Sequence, residues 1–325
     1  MIEVDVAAAT RMLAGAVHRT PVLTSDRLDA RFGARIFFKA EHRQLTGSFK
    51  IRGVLNRLLR CTPADLAHGV VAGSSGNHGK ALAFAARCLG TTATIVLPDD
   101  VSPIKQEAIT ALGARIVRFD RRTTERDELV AAIARRESLL IVPSSDDLDV
   151  IAGNGTAAAE LLSEVPELDT LVAPVGGGGL AAGSGVAART VTRGTLVYGA
   201  EPEQADDTIR SLRAGHPVTI ASPNTVADGL RHTHPGVITF PILQRTLADV
   251  LPVREYHIRA AVDLLYATFN DAVEPSGACA LAAVLAQPDR FVGQSVGILL
   301  TGGNVVPLNN SGTQEPANRN RPSTE

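Results

Sequence analysis

Lys50, inside Thr46-Gly47-Ser48-Phe49-Lys50-Ile51-Arg52-Gly53, is the residue whose type and setting most directly suggest chemistry. Ile51, Val54, Leu55, Leu58 and Leu59 recur at the spacing of a helix with one buried face, and Thr46 or Ser48 is expected to cap its first turn. Lys50 therefore falls at or near a helix N-terminus. The positive end of the helix dipole disfavours an ammonium ion and welcomes anions. Both effects push Lys50 towards a neutral, nucleophilic amine beside something anionic, the state a Schiff-base lysine needs. Taken alone, the residue reads equally as a surface lysine with its head in water.

Three further stretches offer groups that would complete a site. Ser74-Ser75-Gly76-Asn77-His78-Gly79 lies between a strand pattern and a helix pattern, where open parallel sheets place ligands. Its glycines let backbone amides approach a ligand, and Asn77 can donate to a phenolate or carboxylate. Val175-Gly176-Gly177-Gly178-Gly179-Leu180 again joins strand to helix. Its successive free N–H groups suit a phosphate nest. The run matches neither G-x-G-x-x-G nor G-x-x-x-x-G-K-[ST], so dinucleotide and Walker-type readings fit poorly. Leu300-Thr301-Gly302-Gly303-Asn304 follows the last apolar run and presents a hydroxyl that can bond a ring nitrogen without carrying charge. Each of these also reads as a plain glycine turn when taken singly.

The elements that must position these loops alternate. Strands are expected over 36–39, 70–73, 94–97, 115–117, 139–142, 171–175, 196–198 and 296–300. Helices are expected near the N-terminus, after Lys50, over 80–89, from 103 to about 113, and over 125–136 and 155–164. Further helices follow the glycine run and cover 206–213, 257–269 and 277–285. Such alternation implies parallel sheets covered by helices on both faces. The polar stretch 311–325 reads as a disordered tail.

Composition excludes several function classes. The 325 residues are 45% hydrophobic and 20% charged, with net charge −2, so neither a polyanion partner nor a membrane surface is indicated. Trp is absent and aromatics are few, against a stacking platform for nucleic acid. No apolar run is long enough to span a membrane. The N-terminus lacks a basic signal-peptide start. Cys61, Cys88 and Cys279 are scattered and fit a reducing cytoplasm.

The four ordered motifs together resemble those of the fold-type II pyridoxal-phosphate enzymes, in the serine/threonine dehydratase and serine racemase family, over nearly the whole chain up to about Leu308. The resemblance implies two open parallel-sheet α/β domains of the tryptophan synthase β-like architecture, with pyridoxal 5'-phosphate between them. It implies that Lys50 carries the cofactor, Phe49 packs by the ring and Asn77 meets its 3′-oxygen. Gly176, Gly177, Gly178 and Gly179 would hold the phosphate, Gly229 would pass beside the cofactor, and Thr301 would meet the pyridine nitrogen. Many relatives have Ser or Cys at the place of Thr301. Ser75 stands where the racemase and 3-hydroxyaspartate dehydratase branches have serine, on the cofactor face opposite the lysine. Ser74, His78 and Arg126 would face substrate, although Arg126 also belongs to a basic helix face with Arg121, Arg122, Arg135 and Arg136. Glu274 would lie near the ring or cap the next helix.

Glu201, the Ala205 carbonyl and Asp207 resemble the divalent site of the racemase branch, a hard oxygen set for Mg²⁺, Ca²⁺ or Mn²⁺. From the residues alone they read as an acidic helix start. The implied reaction is dehydration and deamination of L-serine or L-threonine by a cytoplasmic homodimer. Serine racemisation and elimination from L-threo-3-hydroxyaspartate are its alternatives.

Overall fold

The computed structural model describes residues 4–305 except Arg193. The expected tail over 311–325 lies outside the described residues. Among the described residues ten strands form two sheets. The first contains β1 (Val22–Leu23), β2 (Arg35–Lys39), β7 (Thr170–Pro174), β8 (Leu196–Pro202), β9 (Asp249–Val253) and β10 (Ser295–Leu299), in the order β1-β2-β10-β7-β8-β9. The second contains β3 (Val70–Gly73), β4 (Ala93–Pro98), β5 (Arg115–Phe119) and β6 (Leu140–Ile141), in the order β5-β4-β3-β6. All pairings are parallel except that of β1 with β2. Central strands β4, β7 and β10 are buried at every residue, which explains their unbroken apolar runs.

Among the departures from the sequence pattern, β9 and the helix before β7 bear most on the fold. β9 was not among the expected strands, and Pro252 lies within it. It sits at the sheet edge, where a missing N–H is tolerated. The helix expected from 155 begins instead at Leu148 and runs to Glu164, with Asp147 accepting from the Asp149 and Val150 amides at 2.9 and 3.0 Å. Gly153 within it is a packing glycine: a Cβ there would lie 2.5 Å from the Arg52 carbonyl oxygen.

That contact belongs to a buried ionic cluster behind the Lys50 helix. Arg52 is fully buried. Its Nε donates to Glu41 Oε2 at 2.7 Å and its Nη1 to Glu160 Oε1 at 2.7 Å. Lys39 Nζ, also fully buried, bonds Glu160 Oε2 at 2.7 Å and the Thr20 carbonyl at 2.6 Å. The cluster ties helix Lys50–Leu59 to β2 and to helix Leu148–Glu164. Removing one partner strands the others as unpaired buried charges, which costs about 3–5 kcal/mol. Arg52→Ala should lower unfolding stability by about that amount, read from the urea midpoint. A midpoint equal to wild type would show the cluster to be dispensable.

Candidate active site

Lys50 opens the helix Lys50–Leu59, as the sequence implied, but Phe49 holds the cap position and no side chain caps it. Neither expected cap forms: Thr46 takes a left-handed φ of 63°, and the Thr46 and Ser48 hydroxyls are buried without hydrogen-bond partners. The helix start is fixed by backbone pairing instead. Ser48 pairs antiparallel with Gly302, the Phe49 amide donates to the Thr301 carbonyl at 3.1 Å, and the Gly303 amide donates to the Gly47 carbonyl at 3.0 Å. The first and fourth sequence motifs are thus laced together.

Lys50 Nζ donates to the Ser144 carbonyl at 2.8 Å and lies 5.1 Å from the Phe49 ring centroid. Burial pulls its pKa down to about 8. A sizeable fraction is therefore free amine near neutral pH, which is what a nucleophile or base at this position requires.

Helix Asn77–Cys88 starts three residues earlier than expected, which puts Asn77 and His78 in its first turn. Asn77 Nδ2 donates to Glu274 Oε1 at 2.6 Å, and Asn77 Oδ1 accepts from Asn304 Nδ2 at 2.8 Å. His78 Nε2 donates to the Val142 carbonyl at 2.8 Å, which leaves Nδ1 as a lone pair without a partner. Burial first, then Lys50 and Arg126, lower His78 to about 3, so it is neutral. Ser74 and Ser75 are half-buried at the C-terminal end of β3, with Ser74 Oγ accepting from the Gly76 amide at 3.3 Å.

The glycine run joins β7 to helix Gly179–Val191, with Gly178 at the cap in a left-handed φ of 85°. A Cβ on Gly177 would come within 2.2 Å of Ser145 Oγ, and one on Gly176 within 2.9 Å of His232 Cδ2. The run is therefore a shallow cradle of backbone amides that only glycine leaves open. Gly229 reaches it from another loop: its carbonyl oxygen lies 3.2 Å from the Cβ position of Gly176, while its amide donates to Ser276 Oγ at 2.9 Å. Thr301 is buried at the end of β10.

Arg126 begins helix Arg126–Glu137 and lays its Cγ and Cδ against Gly73, 2.8 and 2.7 Å from that residue's Cβ position. Like Arg121, Arg122 and Arg136, which pair with Asp100, Asp120 and Glu137 at the surface, Arg126 has an acidic neighbour as partner; what sets it apart is the stem laid against Gly73. Arg126 Nε donates to Asp127 Oδ1 at 2.7 Å.

Three residues lining the site escaped the sequence reading: His232, Ser144 and Ser145. His232 packs on Gly176 and Gly177; burial first, then Lys50 and Arg126, lower it to about 4. The signal was available in Arg231-His232-Thr233-His234, two histidines just beyond Asp228-Gly229. Ser144 and Ser145 line the site from the segment after β6 and carry no distinguishing pattern. Glu274 has its backbone at the cap of helix Pro275–Ala286, but its side chain bonds Asn77 rather than capping; burial raises it to about 7.

Away from this cleft, Glu201 and Asp207 are fully buried together beside Ala205. Glu201 accepts from the Thr208 and Ile209 amides at 3.1 and 3.0 Å, while neither Asp207 oxygen has a partner. Among the described residues no group of three or more His, Cys, Asp or Glu side chains is placed to share a metal. The fit with a cation thus rests on two carboxylates and the Ala205 carbonyl. Burial raises Asp207 to about 7, and burial together with Asp207 raises Glu201 well above the usual carboxylate range.

The pyridoxal-phosphate-dependent enzyme family model matches residues 13–302. The chain therefore belongs to that family, and its two parallel-sheet α/β units are of the fold-type II kind. It is 40% identical over 301 residues to an L-threo-3-hydroxyaspartate ammonia-lyase of Saccharomyces cerevisiae, covering 93% of this chain and 92% of that one. It is 39% identical over 301 residues to a serine racemase of Schizosaccharomyces pombe, covering 93% of each. The solved serine racemase of maize superposes with a TM-score of 0.89 at 36% identity, covering 93% of each chain. Among the described residues no helix is long and apolar enough to cross a membrane.

The raised Asp207 carries a pH signature. Its folded pKa lies above the ordinary 3.8, so the folded state holds more protons than the unfolded state between about pH 4 and pH 7. Stability contributed by the protonated pair is present below that window and is lost as pH rises through it. In metal-free protein, Asp207→Asn should flatten the fall in melting temperature between pH 5 and pH 7. An identical slope in the variant would remove the carboxylate pair as its cause.

Proposed function

We propose that the chain removes water and then ammonia from a small β-hydroxy amino acid, and that it prefers a dicarboxylic substrate such as L-threo-3-hydroxyaspartate to L-serine or L-threonine. The observation that carries this preference is Arg126, whose stem lies against Gly73 at the end of β3 and whose charge acts on His78 and His232, while its partner Asp127 is exposed and can give way to a substrate carboxylate. Its guanidinium can bind a second carboxylate by charge-assisted hydrogen bonds. The likeness to the Saccharomyces cerevisiae lyase supports the same preference over the L-serine and L-threonine that the motifs first suggested.

Residues 69–146 act in this reading as the smaller domain and 1–68 with 147–310 as the larger, with the site in the cleft. Bound pyridoxal phosphate supplies an aldehyde for the substrate's amino group and an electron sink conjugated to the α-carbon. The N–H groups of Gly176 to Gly179 hold the phosphate, which fits a cradle that side chains would fill. Asn77 donates its remaining N–H to the phenolic oxygen, and Phe49 lies against the ring. Thr301 offers a neutral hydroxyl to the ring nitrogen and so does not protonate it. Lys50, with a pKa near 8, would hold the cofactor and, as a free amine, would take the α-proton. Neutral His78 leaves Nδ1 free as an acceptor by the substrate. Departure of the β-hydroxyl gives an enamine that water converts to a 2-oxo acid and ammonia.

Ser75 supports a second reaction. A hydroxyl on the face opposite Lys50 could return a proton there and yield the D-amino acid, as in the racemases this chain resembles. For Glu201, Ala205 and Asp207 the reading is a structural Mg²⁺, Ca²⁺ or Mn²⁺ that relieves two buried carboxylates. A cation bound only by the folded state raises melting by mass action. Divalent ion should therefore stabilise wild type and leave Asp207→Asn unaffected; equal melting with chelator and with ion would remove the site.

Lys50→Ala should abolish turnover together with the visible absorbance of the bound cofactor, and retention of both would refute the lysine assignment. A panel of L-threo-3-hydroxyaspartate, L-serine and L-threonine, assayed for 2-oxo acid and for D-product, tests the substrate. Arg126→Met should lower kcat/KM for the dicarboxylate by about 10- to 100-fold and leave L-serine nearly unchanged. Equal loss on both substrates would sink the carboxylate role. Ser75→Ala should reduce D-product far more than 2-oxo acid, and parallel loss would argue against a second-face proton donor.

A further inference from the structure

An asparagine can present either end of its amide in the same space, so its direction is set by its partners. Asn77 sits in a chain of such groups. Lys80 Nζ donates to Asn304 Oδ1 at 2.7 Å, and Asn304 Nδ2 donates to the Thr46 carbonyl at 2.8 Å and to Asn77 Oδ1 at 2.8 Å. Asn77 Nδ2 then donates to Glu274 Oε1 at 2.6 Å. The chain spans four separate pieces of backbone: the segment before helix Lys50–Leu59, the start of helix Asn77–Cys88, the segment after β10, and the cap of helix Pro275–Ala286.

Its polarity is decided at one end. An ammonium group has only donors and a backbone carbonyl only accepts, so Lys80 and Thr46 together allow Asn304 one orientation. Asn304 must then offer its second N–H to Asn77, which spends the Asn77 oxygen and turns the Asn77 amide nitrogen towards Glu274. One Asn77 N–H remains for a ligand. The other end gives no such direction, because Glu274, buried near Asp228 and Lys105, titrates at about 7 and can accept or donate around neutral pH.

We propose that Lys80 is a positioning residue for the cofactor ring: by donating to Asn304 it fixes which end of the Asn77 amide is available to the ring oxygen. The inference rests on Asn77 being the contact to that oxygen. With the polarity reversed, the Asn77 carbonyl would face a phenolate, an acceptor it cannot satisfy, whatever the protonation of Glu274.

The test is equilibrium dialysis of cofactor-free protein with pyridoxal phosphate, with the absorbance spectrum of the bound form and the melting of the cofactor-free form. Lys80→Arg keeps a donor and should bind within about two-fold of wild type. Lys80→Met removes it and should bind roughly five-fold more weakly. Lys80→Glu can only accept; it should bind more weakly still and shift the visible absorbance. Cofactor-free melting should stay near wild type in all three, since Lys80 is only half-buried. Asn304→Asp, which cannot donate to Asn77, should reproduce the Lys80→Glu spectrum with Lys80 intact. If Asn77→Ala weakens binding while Lys80→Met and Lys80→Glu bind and absorb as wild type, the inference is overturned and the Asn77 assignment stands. Equal weakening by Arg, Met and Glu also overturns it, by showing that donor polarity is not what matters. If Asn77→Ala binds as wild type, the assignment of Asn77 fails and the inference fails with it.

Discussion

The pairing of Arg52 with Glu41 and Glu160 is the constraint on which the site depends. Arg52 is two residues from Lys50 on the same helix, and all its donors are directed inward, to carboxylates and to the Thr156 hydroxyl and His18 carbonyl. Buried ion pairs of this kind contribute little net stability compared with apolar packing, but they admit few alternative geometries. The cost of desolvating four charges is offset only when every partner is in place. Helix rotation or sliding that moved Lys50 would break this cluster first. Fixing a reactive amine to a small fraction of an ångström is a matter of orientation, which is where much of the rate advantage of an enzyme arises.

A second constraint is the backbone pairing of Ser48 with Gly302. It brings the Lys50 helix to the end of β10, a strand distant in sequence, and sets Phe49 and Thr301 on neighbouring backbones. The loops after β3, β7 and β10 all leave the carboxyl ends of parallel strands, where such sheets collect ligands. Segments joined to β6 and to the 228–239 region close the ring. Asp146 fastens the two together by accepting from the Val237, Ile238 and Thr239 amides at 3.0, 2.8 and 3.0 Å. His232 is carried to the glycine cradle by that loop.

Much of the fold was legible in the sequence. Apolar runs without alternation marked strands buried on both faces, and the β4, β7 and β10 positions follow them within a residue. Legibility failed where a local rule was overridden by packing. No strand was expected over 249–253, yet β9 forms there at a sheet edge, where Pro252 needs no N–H on the open side. The helix expected from 155 starts at Leu148, where Gly153 admits the backbone of the Lys50 helix at a distance no Cβ allows. Thr46 and Ser48 read as helix caps, but pairing with Gly302 and a left-handed turn at Thr46 took the chain another way.

For the site itself, sequence determined the chemical inventory: a lysine at a helix start, a run of glycines between strand and helix, and a hydroxyl after the last strand. Those are local properties, because helix ends, anion nests and strand termini are built from consecutive residues. Tertiary structure alone decided the partners. Asn77 and Glu274, Lys80 and Asn304, and Lys50 and Ser144 meet from positions 94 to 224 residues apart. Neither the direction of the Asn77 amide nor the closeness of His232 to the glycine cradle has a local cause. Both follow from the packing of two sheets, since hydrogen-bond donors and desolvated charges find their partners in space and not along the chain.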